Sequence, residues 1–411
     1  MSDPAVSVVI VSRGRPAALT RCLLGVSQLQ YPRFEVVVVA DPSGIAAAAK
    51  TQFASCLKLV HYDEPNISAA RNLGVDHAAG EIIAFIDDDA VPEPQWLRHL
   101  TGPAAKRDVA AMGGFVRGRN GISFQWRARS LDALGEPERL EVKGAEPHVP
   151  TPPAGYAVKT EGTNMAIRRE VLVALGGFDP AFHYYLDETD LNMRLAGAGH
   201  ATAIAPLAEV HHGFAANCMR HRNRAPRDLF DIGASWAVFQ RKHVPKSARF
   251  SQWCRLRDGQ RRRLIRHLVV GTLEPREVRY LLERLDAGYE VGRNRPCGAP
   301  GLTSRPLSPF RPFPAPQREH VWLTANWLRS AAARRDAERL VRAGRIVTLL
   351  LLSRSALFHQ VSFEAGGYWL QRGGVSGRAE RDEPLLRWAT SEQRAIQEHA
   401  RITPQRGNGA W

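Results

Sequence analysis

Glu81-Ile-Ile-Ala-Phe-Ile-Asp87-Asp88-Asp89-Ala-Val-Pro-Glu-Pro-Gln-Trp96 is the stretch whose reading decides the fold. Residues 82–86 are apolar or small with no polar alternation, the pattern of a strand buried on both faces. Three carboxylates follow at once. Adjacent acids repel one another, so a positive partner must compensate them. A divalent cation is the natural candidate, because hard cations take carboxylate oxygens. On extended backbone Asp87 and Asp89 point to one side and Asp88 to the other. The first and third acids can therefore share a metal or divide metal and ligand between them. Pro92 and Pro94 stop the strand.

Working outward, residues 6–12 read as a first buried strand, and Pro16 suits the first turn of a helix reaching Leu29. Residues 34–40 and 57–62 are further strands. Asn66-Ile-Ser68 offers caps for a helix over 69–79, ended by Gly80. Strands alternating with helices predict a doubly wound, mostly parallel sheet, whose ligands sit outside the carboxyl ends of the strands. Ser12, Asp41 and Asp87 to Asp89 share that edge. Downstream, residues 161–167 read as a strand and 169–175 as a short helix closed by Gly176-Gly177. A second acidic knot, Asp187-Glu188-Thr189-Asp190, opens another helix. A strand over 201–205 leads to Val210-His211-His212-Gly213.

The 411 residues allow two or three domains with real cores. Five scattered cysteines (Cys22, Cys56, Cys218, Cys254, Cys297) include no C-x-x-C pair, so neither a zinc site nor a disulfide framework is indicated. That usage predicts a reducing, cytoplasmic setting. The start lacks the basic and apolar regions of a signal peptide, and no run reaches the roughly 18 apolar residues of a spanning helix. Residues 1–210 carry 20 Lys/Arg against 24 Asp/Glu, a net of −4, and the remainder carries a net of +19. A basic half of this kind suits an anionic membrane surface or a phosphate-bearing acceptor. It contains no nucleic-acid module, and no nucleic-acid partner is expected. Arg261-Arg262-Arg263 with Leu264, Leu268 and Val269 would form a helical face able to lie on an acidic bilayer. Residues 293–316 hold seven prolines and read as a linker or strap. Beyond it a helix over 318–343 and a strand over 346–352 are expected, with a polar tail after Gly373. The expected units are 1–215, a basic helical extension 216–292, the Pro-rich 293–316, and a C-terminal α/β region 317–411.

The first half resembles a family 2 glycosyltransferase with the Rossmann-like GT-A fold. Six motifs stand in family order. They are the opening strand through Ser12-Arg13, Asp41 in Ala-Asp-Pro-Ser, Asn66-Ile-Ser-Ala-Ala-Arg-Asn-Leu-Gly74, the D-x-D position at Asp87 to Asp89, Gly162-Thr-Asn-Met-Ala with Gly177-Phe-Asp179, and Asp187-Glu188-Thr-Asp190-Leu191. In the last, the family's first two acids are exchanged. The resemblance covers about residues 5–215, roughly half the chain. No Q-x-x-R-W motif of processive synthases is present.

The resemblance implies inverting transfer of a sugar from a UDP-, dTDP- or GDP-linked donor to a glycan or lipid-linked acceptor of cell-surface polysaccharide. A divalent metal, Mn2+ or Mg2+, would neutralise the leaving diphosphate, and a carboxylate would deprotonate the acceptor hydroxyl. Asp89 and Asp87 are the expected metal contacts, with His211 or His212 as a nitrogen ligand. Ser12, Arg13, Asp41, Arg71, Asn72, Asp87 and Asp88 are expected at the nucleotide. Glu188 is the expected base, Asp187 its contender, and Asp190 a structural partner of Arg194. The expected location is the cytoplasm, at the inner face of the membrane. Two rival readings are a sugar-phosphate nucleotidyltransferase, which would want a Gly-rich phosphate loop after the first strand, and a non-catalytic scaffold with a basic membrane- or nucleic-acid-binding half.

Overall fold

A computed structural model describes residues 3–213, 219, 221, 223–407 and the backbone of 409–410; Cys218 lies outside the described residues. The N-terminal elements are β1 (Val6–Ser12), α1 (Pro16–Val26), β2 (Phe34–Ala40), α2 (Pro42–Ala49), β3 (Leu57–His61), α3 (Ile67–His77), β4 (Ile82–Asp87) and β5 (Ala90–Pro92). Next come α4 (Trp96–Thr101), β6 (Val109–Arg117), β7 (Phe124–Trp126), β8 (Arg129–Leu131), β9 (Pro137–Arg139), β10 (Ala157–Lys159), β11 (Met165–Arg168), α5 (Arg169–Ala174), α6 (Asp187–Gly197) and β12 (Ala201–His212).

The main sheet runs β3-β2-β1-β4-β11-β6-β12-β5. β1, β2, β3 and β4 are parallel, while β11 lies antiparallel between β4 and β6. The expected two-faced burial of the acid-tipped strand is present, and alternate residues explain it. Ile82, Ala84 and Ile86 join the core under α1, whereas Ile83 and Phe85 join the core shared with α3 and α6. Each such side chain contributes about 1.5–3 kcal/mol by leaving water. The strand expected at 161–167 begins only at Met165; a turn bridged between Glu161 and Asn164 precedes it.

β12 is a single long strand with an irregularity between Ala205 and Glu209. Past it, the strand also pairs with β5, aligning His211 with Val91 and His212 with Ala90. This is what carries the two histidines to the residues after Asp89.

Helices α7 (Phe230–His243), α8 (Lys246–Val269) and α9 (Pro275–Asn294) form the basic extension. Their core takes in Phe182 and Leu186 from the loop before α6. Leu264, expected on a bilayer-facing side of α8, is instead fully buried in that core, and Arg262 pairs with Asp258 on its own helix. The Pro-rich segment is an ordered strap. Thr303 bonds Asp76, Arg311 bonds Glu35 and Leu57, and Phe313 stacks on Phe34.

The C-terminal unit contains β13 (His320–Asn326), α10 (Ser330–Arg342), β14 (Ile346–Ser353), β15 (Gln360–Phe363), β16 (Trp369–Gly374), α11 (Ser391–Arg406) and β17 (Gly409–Ala410). Its sheet order is β15-β16-β14-β13-β17. The helix expected from residue 318 is corrected to a strand followed by a helix, because His-Val-Trp-Leu-Thr pairs with the apolar β14. The expected polar tail is also corrected, since α11 opens with a capping box and buries Arg394, Glu398 and Arg406. Among the described residues no helix is long and apolar enough to cross a membrane.

Candidate active site

The triple-acid turn carries its own counterions. Ser12 Oγ donates to Asp88 at 2.6 Å. Arg15 reaches Asp88 at 2.5 Å and Asp89 at 3.2 Å. Burial pushes Asp88 up to about 7, against the pull of Arg15. Asp87, at the tip of β4, is the most open of the three and lies 3.5 Å from Arg71. Asp88 thus turns inward, while Asp87 and Asp89 face His212, as the strand alternation predicts.

His212 Nε2 is 3.0 Å from Asp89 Oδ1 and 3.9 Å from Asp87 Oδ2. Ligand atoms of these three residues all lie within 4.8 Å of one another. Two carboxylates and one imidazole are a donor set that a divalent ion such as Mn2+ accepts. The expectation of His211 as a ligand is corrected in favour of its neighbour. On β12 successive side chains point to opposite faces, and His211 turns away to Glu93 at 2.8 Å and packs on Trp369.

Beside this group a cleft is walled by Tyr62, Pro65, Asn66 and Ile67, with Ser12 and Arg13 at its floor and edge. Arg13 bonds Asp63. Asp41 sits at the same sheet edge as the N-cap of α2, accepting from Gly44 N at 3.0 Å and from the Ser43 hydroxyl. Asn72 is corrected from nucleotide contact to scaffold. Its side chain clamps the backbone of Phe178 with two 2.8 Å bonds and is buried.

The second acidic knot meets the first through Arg71. This buried guanidinium lies between Phe85 and Phe178 and pairs with both Asp187 and Asp87. Tyr185 and Leu186, immediately before α6, have positive φ (73° and 68°). Non-glycine residues in that region cost on the order of 1–2 kcal/mol each. The sharp turn sets Asp187 and Glu188 in the first turn of α6, where the helix dipole favours carboxylates.

Burial raises Asp187 above the ordinary carboxylate range despite Arg71. Burial works on Glu188 as well, but Lys159 at 3.2 Å and a hydrogen bond with Asp187 outweigh it and hold Glu188 low. Lys159 also faces Glu161 at 3.4 Å, whose burial pushes it up to about 7. Asp190 is the structural member, held by Arg194, Lys242 and His243. Arg15, Lys159 and Glu161 were not singled out from sequence. Arg15 could have been, as the second of two cations in the loop after the strand neighbouring the acids.

A doubly wound sheet with carboxylate clusters at its carboxyl edge is the arrangement that the sequence resemblance implies. Over residues 7–172 the chain matches the model of glycosyl transferase family 2. O-antigen biosynthesis protein RfbC of Myxococcus xanthus is 28% identical over 233 residues, 51% of this chain and 17% of that protein. Glycosyltransferase AglE of Haloferax volcanii is 32% identical over 120 residues, 28% of this chain and 40% of its own. Pre-mycofactocin glycosyltransferase of Mycobacterium tuberculosis is 27% identical over 252 residues, 59% and 49%. The chain spans no more than about half the length of these relatives. Among solved structures, GalNAc-T7 with UDP, GalNAc and Mn2+ aligns with a TM-score of 0.42 at 19% identity, over 51% of this chain and 44% of its own. Mannosyltransferase PcManGT from Pyrobaculum calidifontis with GDP-Man and Mn2+ aligns at 0.40 and 17%, over 71% and 74%.

Proposed function

We propose that the chain is a metal-dependent, inverting glycosyltransferase that moves a sugar from a nucleoside-diphosphate donor to a glycan or lipid-linked acceptor in cell-surface polysaccharide synthesis. The observation that carries this reading is the Asp87–Asp89–His212 group beside the cleft, joined through Arg71 to Asp187. Asp87, Asp89 and His212 would hold a divalent ion, which supplies charge neutralisation to a leaving diphosphate. Arg15 keeps the acids oriented, with Asp88 locked onto Ser12. Tyr62 and Pro65 offer a flat apolar wall for the nucleobase, with Arg13 at its polar rim and Asp41 next to it, accepting from Gly14 N.

Glu188 is the proposed general base. Lys159 keeps it ionised at neutral pH, the state that can accept the proton of an acceptor hydroxyl, and lowers its basicity in doing so. Asp187 is tied to Arg71 and serves to fix the geometry. The test is a panel of UDP-, dTDP- and GDP-sugars with Mn2+ or Mg2+, scored for donor hydrolysis and transfer. Glu188→Gln should retain nucleotide binding and lose about 100-fold or more in turnover. If Asp187→Asn alone gives that pattern, the base is Asp187; if no donor is turned over by the parent chain, the transferase reading fails.

A further inference from the structure

The C-terminal unit has a carboxyl edge of its own. β13, β14 and β16 run parallel, so the loops that follow them open on one side of the sheet. A cleft of about 410 Å³ lies there, lined by Asn326, Arg329, Ser353, Arg354 and Ser391 among others, with no carboxylate in its walls. Arg329 and Arg354 are exposed, and neither pairs with a carboxylate. Arg334, Arg387, Arg394, Arg401 and Arg406 of the same unit each have an acidic partner, whereas among the described residues Arg335, Arg342, Arg372 and Arg378, like Arg329 and Arg354, show no ion pair; what distinguishes Arg329 and Arg354 is that both line one cleft. Two uncompensated guanidiniums around one polar cleft are a place for phosphate oxygens.

The loops on this side of the sheet carry exposed apolar side chains. Trp327 and Leu328 follow β13, and Leu357 and Phe358 follow β14. Leu385, Leu386 and Trp388 precede α11. Leu328 and Trp388 are each 96% exposed. Seven of the fifteen large apolar side chains exposed among the described residues stand on these three loops. Scattered exposed apolar residues need no explanation, but a concentrated set does. A free phosphate-bearing solute would fill the cleft and leave these side chains in water. A protein partner would want a continuous patch, whereas these side chains stand on separate loops. Trp and Leu around cationic headgroup sites match the boundary layer of a bilayer. The net charge of +6 over residues 317–411, 15 Arg against 9 Asp/Glu, favours an anionic one.

We propose that the carboxyl edge of the C-terminal sheet docks on an anionic phospholipid bilayer, with headgroup phosphates in the Arg329–Arg354 cleft and the Trp327, Leu328, Phe358 and Trp388 side chains at the acyl boundary. This docking is independent of the transfer chemistry and of the face on α8. Co-sedimentation of the full chain with vesicles tests it. One set is phosphatidylcholine alone; the other contains about one-third phosphatidylglycerol, enough to give a negative surface potential. The parent chain should partition onto the anionic set. Leu328→Ser with Trp388→Ser should lower that partition by about tenfold or more. Arg329→Gln with Arg354→Gln should weaken anionic binding by roughly tenfold while leaving the weak binding to neutral vesicles unchanged. The proposal is overturned by unchanged partition in both variants, or by loss of binding only when Arg261, Arg262 and Arg263 become Gln. It is equally overturned if pyrophosphate binds the cleft while vesicles do not, or if the Leu328→Ser, Trp388→Ser variant merely abolishes self-association.

Discussion

Asp190 shows how one buried carboxylate is kept charged. Burial alone would raise it, yet His243, Arg194 and Lys242 hold it near 2. A carboxyl depressed in the folded state adds stability above its unfolded value and loses it as pH falls through the folded one. Asp190→Asn should therefore destabilise the chain by about 3 kcal/mol at neutral pH. In urea unfolding at stepped pH, the gap to the parent should shrink between about pH 4 and pH 2; a gap independent of pH would rule the account out. The paired histidines make a second contrast. His212→Ala should weaken Mn2+ binding by roughly tenfold or more in calorimetric titration. His211→Ala should leave that affinity intact and lower thermal stability, since its ring is spent on Glu93 and Trp369. Equal metal affinity for the two variants would refute the assignment. At this scale the acids were legible, because three carboxylates after an apolar strand have no ordinary surface explanation. Arg15, Lys159 and Glu161 were not, since Arg15 takes its meaning from acids more than 70 residues away and Lys159 and Glu161 take theirs from Glu188 on α6. Choosing between His211 and His212 needed the register of β12 on β5.

Elements explain why Gly162 stands in its motif. Its backbone passes so close to Arg71 that an added Cβ would overlap the guanidinium. Arg71 packs against both Phe85 and Phe178 and is tied to Asp187 and Asp87, so its displacement breaks those pairs. Gly162→Ala should cost about 1–3 kcal/mol and displace Arg71 from Asp187 and Asp87, lowering turnover more than donor binding. Steady-state kinetics beside thermal melts would check this, and a variant with native rates would count against it. Among the elements, β1, β2, β4, α3 and α6 were readable because burial on both faces or a clear cap marks them. β13 was not. His-Val-Trp-Leu-Thr runs directly toward an Arg- and Ala-rich helix, and only pairing with β14 separates the two. α11 was hidden because its inward face is charged, with Arg394 paired to Glu398.

At the scale of the molecule, the C-terminal unit is bound to the family domain by a buried pair. Arg406 makes a bidentate bond to Glu93 at 2.8 and 2.9 Å and stacks on Trp369. Glu93 is held well below the usual carboxylate range by it. Arg406→Gln should cost about 3–5 kcal/mol by leaving Glu93 unpaired, and Arg406→Met with Glu93→Gln should recover much of that loss. Calorimetric melts would read both; a single variant as stable as the parent would contradict this. Further attachments are an apolar cluster of Val91 and Ile122 with Val361, Phe363 and Trp369 and the strap, whose residues 303–313 bond to residues 34–77. The strap fixes one end of a linker whose other end carries the C-terminal unit. The Arg406–Glu93 contact thereby forms as an intramolecular event at high effective concentration, on the order of millimolar for a short linker. A contact too small to hold two separate proteins together can in this way hold two parts of one chain.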